Sequence, residues 1–244
     1  MAKKSFISLV DTGSPAGART LIERTYAQLR EDIVSGRLAP GEKLLVEHLK
    51  DRYQVGAGTL REAVSRLVSE AMVMAEGQRG FTVAPITIEE LIDITNLRVN
   101  VETEALRASI RNGDELWRKR LQSAYEALSI LEQPLLTANA KSWELANARF
   151  HEALLSACGS PWTLRILRQL TQHSERYRRY AIGLQSGRDV HEEHALIFDS
   201  AMRGQDARAA LALESHIRAT PETLIRAIEN GSDVFRQTHS QSGS

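Results

Sequence analysis

Apolar side chains recur along the chain with two periods, and the change of period divides it. Between residues 59 and 70, Leu60, Ala63, Val64 and Leu67 fall at i, i+3, i+4 and i+7. That spacing puts them on one face of a helix beginning at Thr59. The opposite face carries Thr59, Arg61, Glu62, Ser65 and Arg66. Two glycines, Gly56 and Gly58, stand just before it, and a shorter helical run over residues 45–53, with Val46, Leu49 and Tyr53, precedes them. Helix, glycine-containing turn and polar-faced helix form the outline of a helix-turn-helix, whose second helix enters the DNA major groove N-terminus first. Periodicity alone fits an ordinary surface helix with a solvated charged face at least as well, so the neighbouring elements must decide.

Upstream, Thr20-Leu21-Ile22-Glu23 is a capping-box pattern. It opens a helix with Ile22, Tyr26, Leu29 and Ile33 on one face, and Gly36 is placed to end it. Downstream the period changes. Met72-Val73-Met74-Ala75 and Phe81-Thr82-Val83-Ala84 flank a Gly-rich turn and read as a β-hairpin. Alone, such a hairpin is a structural flap. After three helices it predicts the wing of a winged helix-turn-helix over residues 19–85, with Arg79 and Gly80 approaching DNA backbone or minor groove.

From Thr87 the period stays helical. Pro85 separates the two parts, and Thr87-Ile88-Glu89-Glu90 is a second capping box opening a helix that runs to Asn112-Gly113. Further helices are expected over 114–131, 138–158, 161–184, 189–202 and 206–219. A short last helix is expected at Thr220-Pro221, read as an N-cap followed by a first-turn proline. The fold class is therefore mainly α: an N-terminal winged helix-turn-helix and a C-terminal antiparallel helical bundle over 86–230. Residues 1–18 read as a flexible arm and 231–244 as a polar, disordered tail.

Composition changes this picture little. The 244-residue chain has 31 Lys plus Arg against 31 Asp plus Glu, so DNA binding would need positive charge clustered on one face. Cys158 is the single cysteine, which rules out an internal disulfide and suits a reducing compartment. No apolar run approaches a membrane span, and Met1–Ser14 has too short an apolar stretch for a secretory signal. A cytoplasmic protein with no membrane partner is the expectation.

Several ordered motifs carry a family resemblance across residues 20–220. Tyr26-Ala27-Gln28-Leu29-Arg30, Gly36-Arg37-Leu38-Ala39-Pro40-Gly41-Glu42, Leu60-Arg61-Glu62-Ala63 and Gly77-Gln78-Arg79-Gly80-Phe81 resemble the DNA-binding half of GntR-family bacterial regulators. The helical half resembles the FCD ligand-binding domain of the FadR subfamily, through Arg98 with Glu102, Phe150-His151, Glu193-His194 and His216. The resemblance implies a homodimeric transcriptional repressor on a palindromic operator, released by a small carboxylate, and not an enzyme. It places DNA contacts at Thr59, Arg61 and Arg79, with Ser65, Arg66 and Gly80 beside them. Family members commonly carry Ser-Arg-Thr-Pro where this chain has Gly56-Ala57-Gly58-Thr59. A methyl group cannot make the bidentate guanine contact of the missing arginine, although it can touch a thymine methyl. Arg61 has a competing reading as the structural ion-pair partner of a neighbouring acid.

Three histidines point to a metal. Asn147 and His151 are four apart, so on a helix they share a face one turn apart. His194 and His216 lie on two further helices, and bundles build metal sites from facing helices in this way. Each histidine taken singly reads as a satisfied polar residue. Together they fall where many FCD domains bind metal, which implies zinc, or nickel or iron, with an open position. The family usually has Asp where this chain has Asn147. Arg98 is the expected first grip for an effector carboxylate, and of Arg176, Arg178 and Arg179 on one helix at most one or two can face the same cavity, with Arg176 and Arg179 taken as those two. The overall pattern, including Val55-Gly56-Ala57 and residues 76–81, looks most like regulators of glutarate and 2-hydroxyglutarate catabolism. The alternatives are a regulator that senses the metal itself and a metal-dependent hydrolase. His173 and His191 match no family position and read as surface or outlying residues.

Overall fold

The computed structural model describes residues 20–77, 80–133, 139–182, 184 and 187–232. The expected arm over 1–18 and all but the first two residues of the expected tail lie outside them. The chain forms two compact units, Met1–Asp32 with Gly41–Ala84, and Ile33–Pro40 with Pro85–Ser244.

In the first unit, α1 (Leu21–Ser35) opens with the expected capping box. The Thr20 hydroxyl accepts from the Glu23 amide at 3.2 Å and the Glu23 carboxylate accepts from the Thr20 amide at 2.9 Å, satisfying two donors that the first helical turn leaves open. Helix α2 (Val46–Tyr53) follows, and its Tyr53 hydroxyl donates to Asp32 at 2.5 Å, with Arg52 adding a contact at 3.0 Å. Helix α3 (Ala57–Ser69) buries Leu60, Ala63, Val64 and Leu67, the face that the periodicity predicts. It starts two residues before the expected Thr59, because the Gly56 carbonyl already accepts from the Leu60 amide at 3.1 Å. The Glu70 carboxylate after α3 accepts from the Tyr26 hydroxyl at 2.8 Å. Burial and that carboxylate push the Tyr26 pKa up to about 12.

The hairpin forms as β2 (Val73–Ala75) and β3 (Phe81–Val83), paired antiparallel with Val73 opposite Val83 and Ala75 opposite Phe81. A third strand, β1 (Lys43–Leu44), adds to β3 and makes the order β1-β3-β2. Two residues are too few to show an alternating pattern, so β1 was not expected.

The second unit contains α4 (Ile88–Asn112), α5 (Glu115–Ser129), α6 (Ala140–Leu155), α7 (Pro161–Ile182), α8 (Val190–Met202) and α9 (Asp206–Glu229). Leu106, Leu121, Phe150, Leu154, Ile197 and Leu213 are fully buried in its main core. The N-terminus of α4 differs from a reciprocal capping box. The Thr87 hydroxyl accepts from the Glu90 amide at 3.1 Å, but the Glu90 carboxylate accepts a hydrogen bond from the Tyr177 hydroxyl instead of reaching back. Tyr177 Oη in turn accepts from the Thr87 amide at 3.3 Å.

The short last helix expected at Thr220-Pro221 does not form separately. Helix α9 runs through Pro221 without a break. A proline inside a helix removes one hydrogen bond and crowds the preceding turn. Here Ile217, Thr220, Pro221 and Leu224 are all buried, so packing on both sides of the proline holds the two segments in one helix. Helix α6 likewise ends at Leu155, before the expected Cys158, and α7 ends at Ile182, before the expected residue 184. No helix among the described residues is long and apolar enough to cross a membrane.

Candidate DNA-binding face and histidine site

The outer face of α3 is built by subtraction. Once Leu60, Ala63, Val64 and Leu67 are buried, the helix leaves Arg61, Ser65 and Arg66 exposed and Thr59 half-exposed. Arg61 points its charge into solvent, and its electrostatic neighbour is Glu47, whose carboxylate already contacts Lys50 at 2.5 Å. The Arg66 guanidinium lies over the Tyr26 ring, 4.5 Å from its centroid. Arg66 is thus held back along α1, which makes it a weaker candidate for reaching a base. Gly80 adopts φ +101°, a backbone state that favours glycine. Arg79 lies outside the described residues.

Gly56 and Gly58 have no internal reason to be glycine. The left-handed residue of the turn is Gln54, at φ 52°. Gly56 caps α3 at φ −70°, and a Cβ built on either glycine meets nothing within 4 Å. Glycine in a helix interior costs roughly 1 kcal/mol relative to alanine. The first turn of α3 is therefore left bare toward the outside.

The second unit concentrates polar groups in its interior. His151 on α6, His194 on α8 and His216 on α9 each present a ring nitrogen within 4.8 Å of the others, and all three side chains are buried. Their rings lie 4.5–5.7 Å apart between centroids. Asn147, one turn before His151, is buried as well, and its Oδ1 has no hydrogen-bond partner. The same holds for His194 Nε2 and His151 Nδ1. Buried polar atoms are nearly always satisfied, so these open atoms beside one another are the ones that could hold a ligand or metal ion. Burial lowers the pKa of His151 and His216 well below the usual imidazole value. The neighbouring histidines push both in the same direction, as do the positive charges of Arg98 and Arg178, with Arg188 also acting on His216. Both shifts favour the neutral imidazole in His151 and His216, the form that binds a metal ion.

Carboxylates orient two of these rings. Glu132 Oε1 lies 2.8 Å from His194 Nδ1 and also accepts from the Trp143 indole at 2.8 Å. Glu193 Oε2 lies 2.8 Å from His216 Nδ1, and Arg188 grips Glu193 with contacts of 2.6 and 2.7 Å. A carboxylate only accepts, so these 2.8 Å contacts favour a proton on Nδ1 of each ring, although at His216 the donor Arg188 Nη2 also lies 3.3 Å from the same nitrogen. Sequence reasoning missed Glu132. It stands in the turn after α5 and no helical period reaches it, so only the chain path brings it to α8. His191, expected at the surface or in an outlying position, borders the same carboxylate with Nδ1 at 3.5 Å.

The arginines need correcting. Arg98 does reach the histidine region, but its Nε is engaged by Glu102 at 2.6 Å, with both side chains buried. Arg176 and Arg179, the other expected members of the grip, have surroundings of their own. Arg176 is buried on α7, where the charges acting on it come from Glu90, Tyr177 and Tyr180. The Arg179 guanidinium lies over the ring of Tyr180, 4.3 Å away. The α7 arginine whose charge acts on both His151 and His216 is Arg178, held by Glu144 through contacts of 2.8–3.2 Å. Consecutive helical residues point about 100° apart, and Tyr177 fills the core between these arginines.

Comparison with known proteins accounts for both units. Residues 21–83 match the family described as bacterial regulatory proteins, gntR family, and residues 93–219 match the FCD domain. The chain is 45% identical over 211 residues to the HTH-type transcriptional regulator BphR of Paraburkholderia xenovorans (strain LB400), covering 84% of this chain and 85% of that protein. It is 32% identical over 209 residues to the HTH-type transcriptional repressor GlaR of Escherichia coli (strain K12), covering 82% and 94%. Among solved structures, Escherichia coli McbR/YncC superimposes with a TM-score of 0.68 at 18% identity, over 88% of this chain and 100% of that one. A GntR transcriptional regulator from Rhodococcus sp. RHA1 gives 0.68 at 20% identity, over 86% and 99%. These last two show the fold alone, whereas the matched families and the closer relatives are transcriptional regulators and not enzymes. The winged helix-turn-helix and the histidine-bearing helical unit thus belong together in one class: this chain is a member of the GntR family of bacterial DNA-binding transcriptional regulators, with a C-terminal FCD domain.

Proposed function

We propose that this regulator is a repressor that binds a palindromic operator as a homodimer and leaves it when a small carboxylate binds beside a divalent metal in the FCD domain. The printed role of GlaR as a repressor supports the direction of the response. A two-fold dimer presents two copies of α3 to half-sites roughly 34–36 Å apart, and Thr59, Arg61 and Ser65 then face the groove. The observation that carries the metal is the set of buried open atoms on His194 and Asn147 beside His151 and His216.

Those residues fit a divalent ion. Three imidazoles and an amide oxygen suit zinc first, with nickel or iron as alternatives. An ion there would supply a Lewis-acidic open position for a carboxylate oxygen. Arg98 and Arg178 add positive charge on the same side, which favours an anion. Asn147 brings no charge where the resembled family usually has Asp, so the site stays more electropositive and more receptive to an acid. The first candidates are four- to six-carbon dicarboxylates and hydroxy acids, with glutarate and 2-hydroxyglutarate at their head.

The test is thermal unfolding of the purified protein against a panel of such acids, with and without chelator. A ligand that binds only the folded state raises the midpoint by mass action. A shift from one acid that disappears on chelation supports the whole reading. A shift that survives chelation removes the metal from the mechanism. Release from the operator by metal alone, with no acid, would make the chain a metal sensor.

A further inference from the structure

Two of the three histidines are tethered to a carboxylate, and the third stands beside one without touching it. His194 has Glu132 at 2.8 Å and His216 has Glu193 at 2.8 Å. His151 Nδ1 lies 3.9 Å from Glu102 Oε2, too far for a hydrogen bond. Both of those atoms are buried and neither has another partner. With its proton on Nδ1, the His151 ring would be a donor facing an open acceptor, and a small movement would join the two.

Each carboxylate is itself anchored by a donor from elsewhere in the bundle. Arg98 holds Glu102 at 2.6 Å, the Trp143 indole holds Glu132 at 2.8 Å and Arg188 holds Glu193 at 2.6 Å. The three sets therefore share one construction: donor, carboxylate, imidazole Nδ1, with Nε2 directed away from the carboxylate. Metal-ligating histidines nearly always carry such a partner, which fixes the tautomer and raises ligand basicity.

We propose that Glu102, Glu132 and Glu193 form the outer shell of the FCD metal site, one carboxylate per histidine, and that ligation of His151 closes the open contact to Glu102. This rests on the metal reading above and gives Arg98 a different part in it. Its guanidinium is the anchor of Glu102, as the guanidinium of Arg178 is held by Glu144. Charge follows the same scheme. Three carboxylates against the guanidiniums of Arg98 and Arg188 leave one net negative charge around a neutral ligand set. Arg178 and Glu144 cancel. A divalent cation converts that to one net positive charge, which a single carboxylate group neutralises.

The measurement is zinc affinity of the full chain by competition with a chromophoric chelator, together with unfolding midpoints in excess chelator. Glu102→Gln, Glu132→Gln and Glu193→Gln should each weaken zinc binding by about 10- to 100-fold. Glu214→Gln, at a half-exposed pair with Arg218, should leave it unchanged. Glu102→Gln and Glu193→Gln should also lower the metal-free midpoint, because each leaves a guanidinium without its carboxylate, so zinc affinity is compared at a temperature where every metal-free variant is folded. Zinc binding as tight as wild type in the three variants would overturn the outer shell while leaving the metal site intact. A wild-type chain that binds no zinc would overturn both readings. Should a variant fail to fold, nitrogen-15 shifts of the zinc-loaded wild type decide the matter. The proposal requires Nδ1–H and a metal-bound Nε2 on all three rings, and a protonated Nε2 on any of them sinks it.

Discussion

The outer face of α3 and the histidine cluster are both polar, yet they are built by opposite routes. On α3 the charged residues stay in water. Arg61 and Ser65 are exposed and have no demand to meet, so the face carries no strain and no open buried atom. In the FCD domain the polar groups are taken out of water. His194 is wholly buried, and Glu102 and Glu132 nearly so. Burying a charge is costly unless it is paired and hydrogen-bonded, and the Arg98, Trp143 and Arg188 contacts supply that pairing. The lesson concerns ligands. A solvated face suits a polyanion that arrives with its own counterions and is gripped by many weak contacts. A buried set with atoms left open suits one small ion of defined geometry.

Substitutions can break this contrast, and the largest effect is expected where burial is deepest. His194→Ala removes a fully buried ligand nitrogen. Zinc binding and the acid-induced shift in unfolding midpoint should both vanish, while operator affinity without effector stays at the wild-type level. Retained zinc at one ion per chain in that variant would show that the cluster is not the site.

On the exposed face, Arg61→Ala should weaken operator binding by about tenfold, roughly 1.4 kcal/mol, and reduce the salt dependence by about one counterion. The unfolding free energy should move by less than about 0.5 kcal/mol, since a solvated side chain is removed. Equal affinity for wild type and variant across a salt series would assign Arg61 to the solvated surface alone.

Asn147→Asp probes the open oxygen directly. A carboxylate there should tighten metal retention in a chelator challenge and weaken the acid that shares the ion. If both quantities stay at wild-type values, Asn147 does not touch the metal. The smallest effect is expected for Gly58→Ala. Nothing lies within 4 Å of the added methyl, so the helix should gain about 0.5–1 kcal/mol in stability. Operator affinity should nevertheless fall if, as in the proposed mode of binding, the bare first turn of α3 faces the DNA. A variant that is both more stable and fully active would leave Gly58 unexplained.

Much of this was legible from residue order. The α3 face depends on four apolar residues within a single helix, so period alone placed Leu60, Ala63, Val64 and Leu67 inward and Arg61 outward. Caps are equally local, as Thr20 with Glu23 shows. Local patterns failed where a distant group intervened. Glu90 looked like the closing half of a capping box, but Tyr177 from α7 takes its place. Pro221 looked like a helix start, but core packing on both sides carries α9 through it.

The sequence by itself determined which residues could form helices, where the winged unit begins, and that three histidines fall on three different helices. It did so because helical period and capping act over a few residues. Only the tertiary structure decided which of three neighbouring arginines turns toward those histidines, that Arg98 is already held by Glu102, and that Glu132 joins His194 from a turn 62 residues away in the chain. Such contacts depend on how whole helices are rotated and docked, and that is set by the packing of the core as a unit and not by any local stretch of sequence.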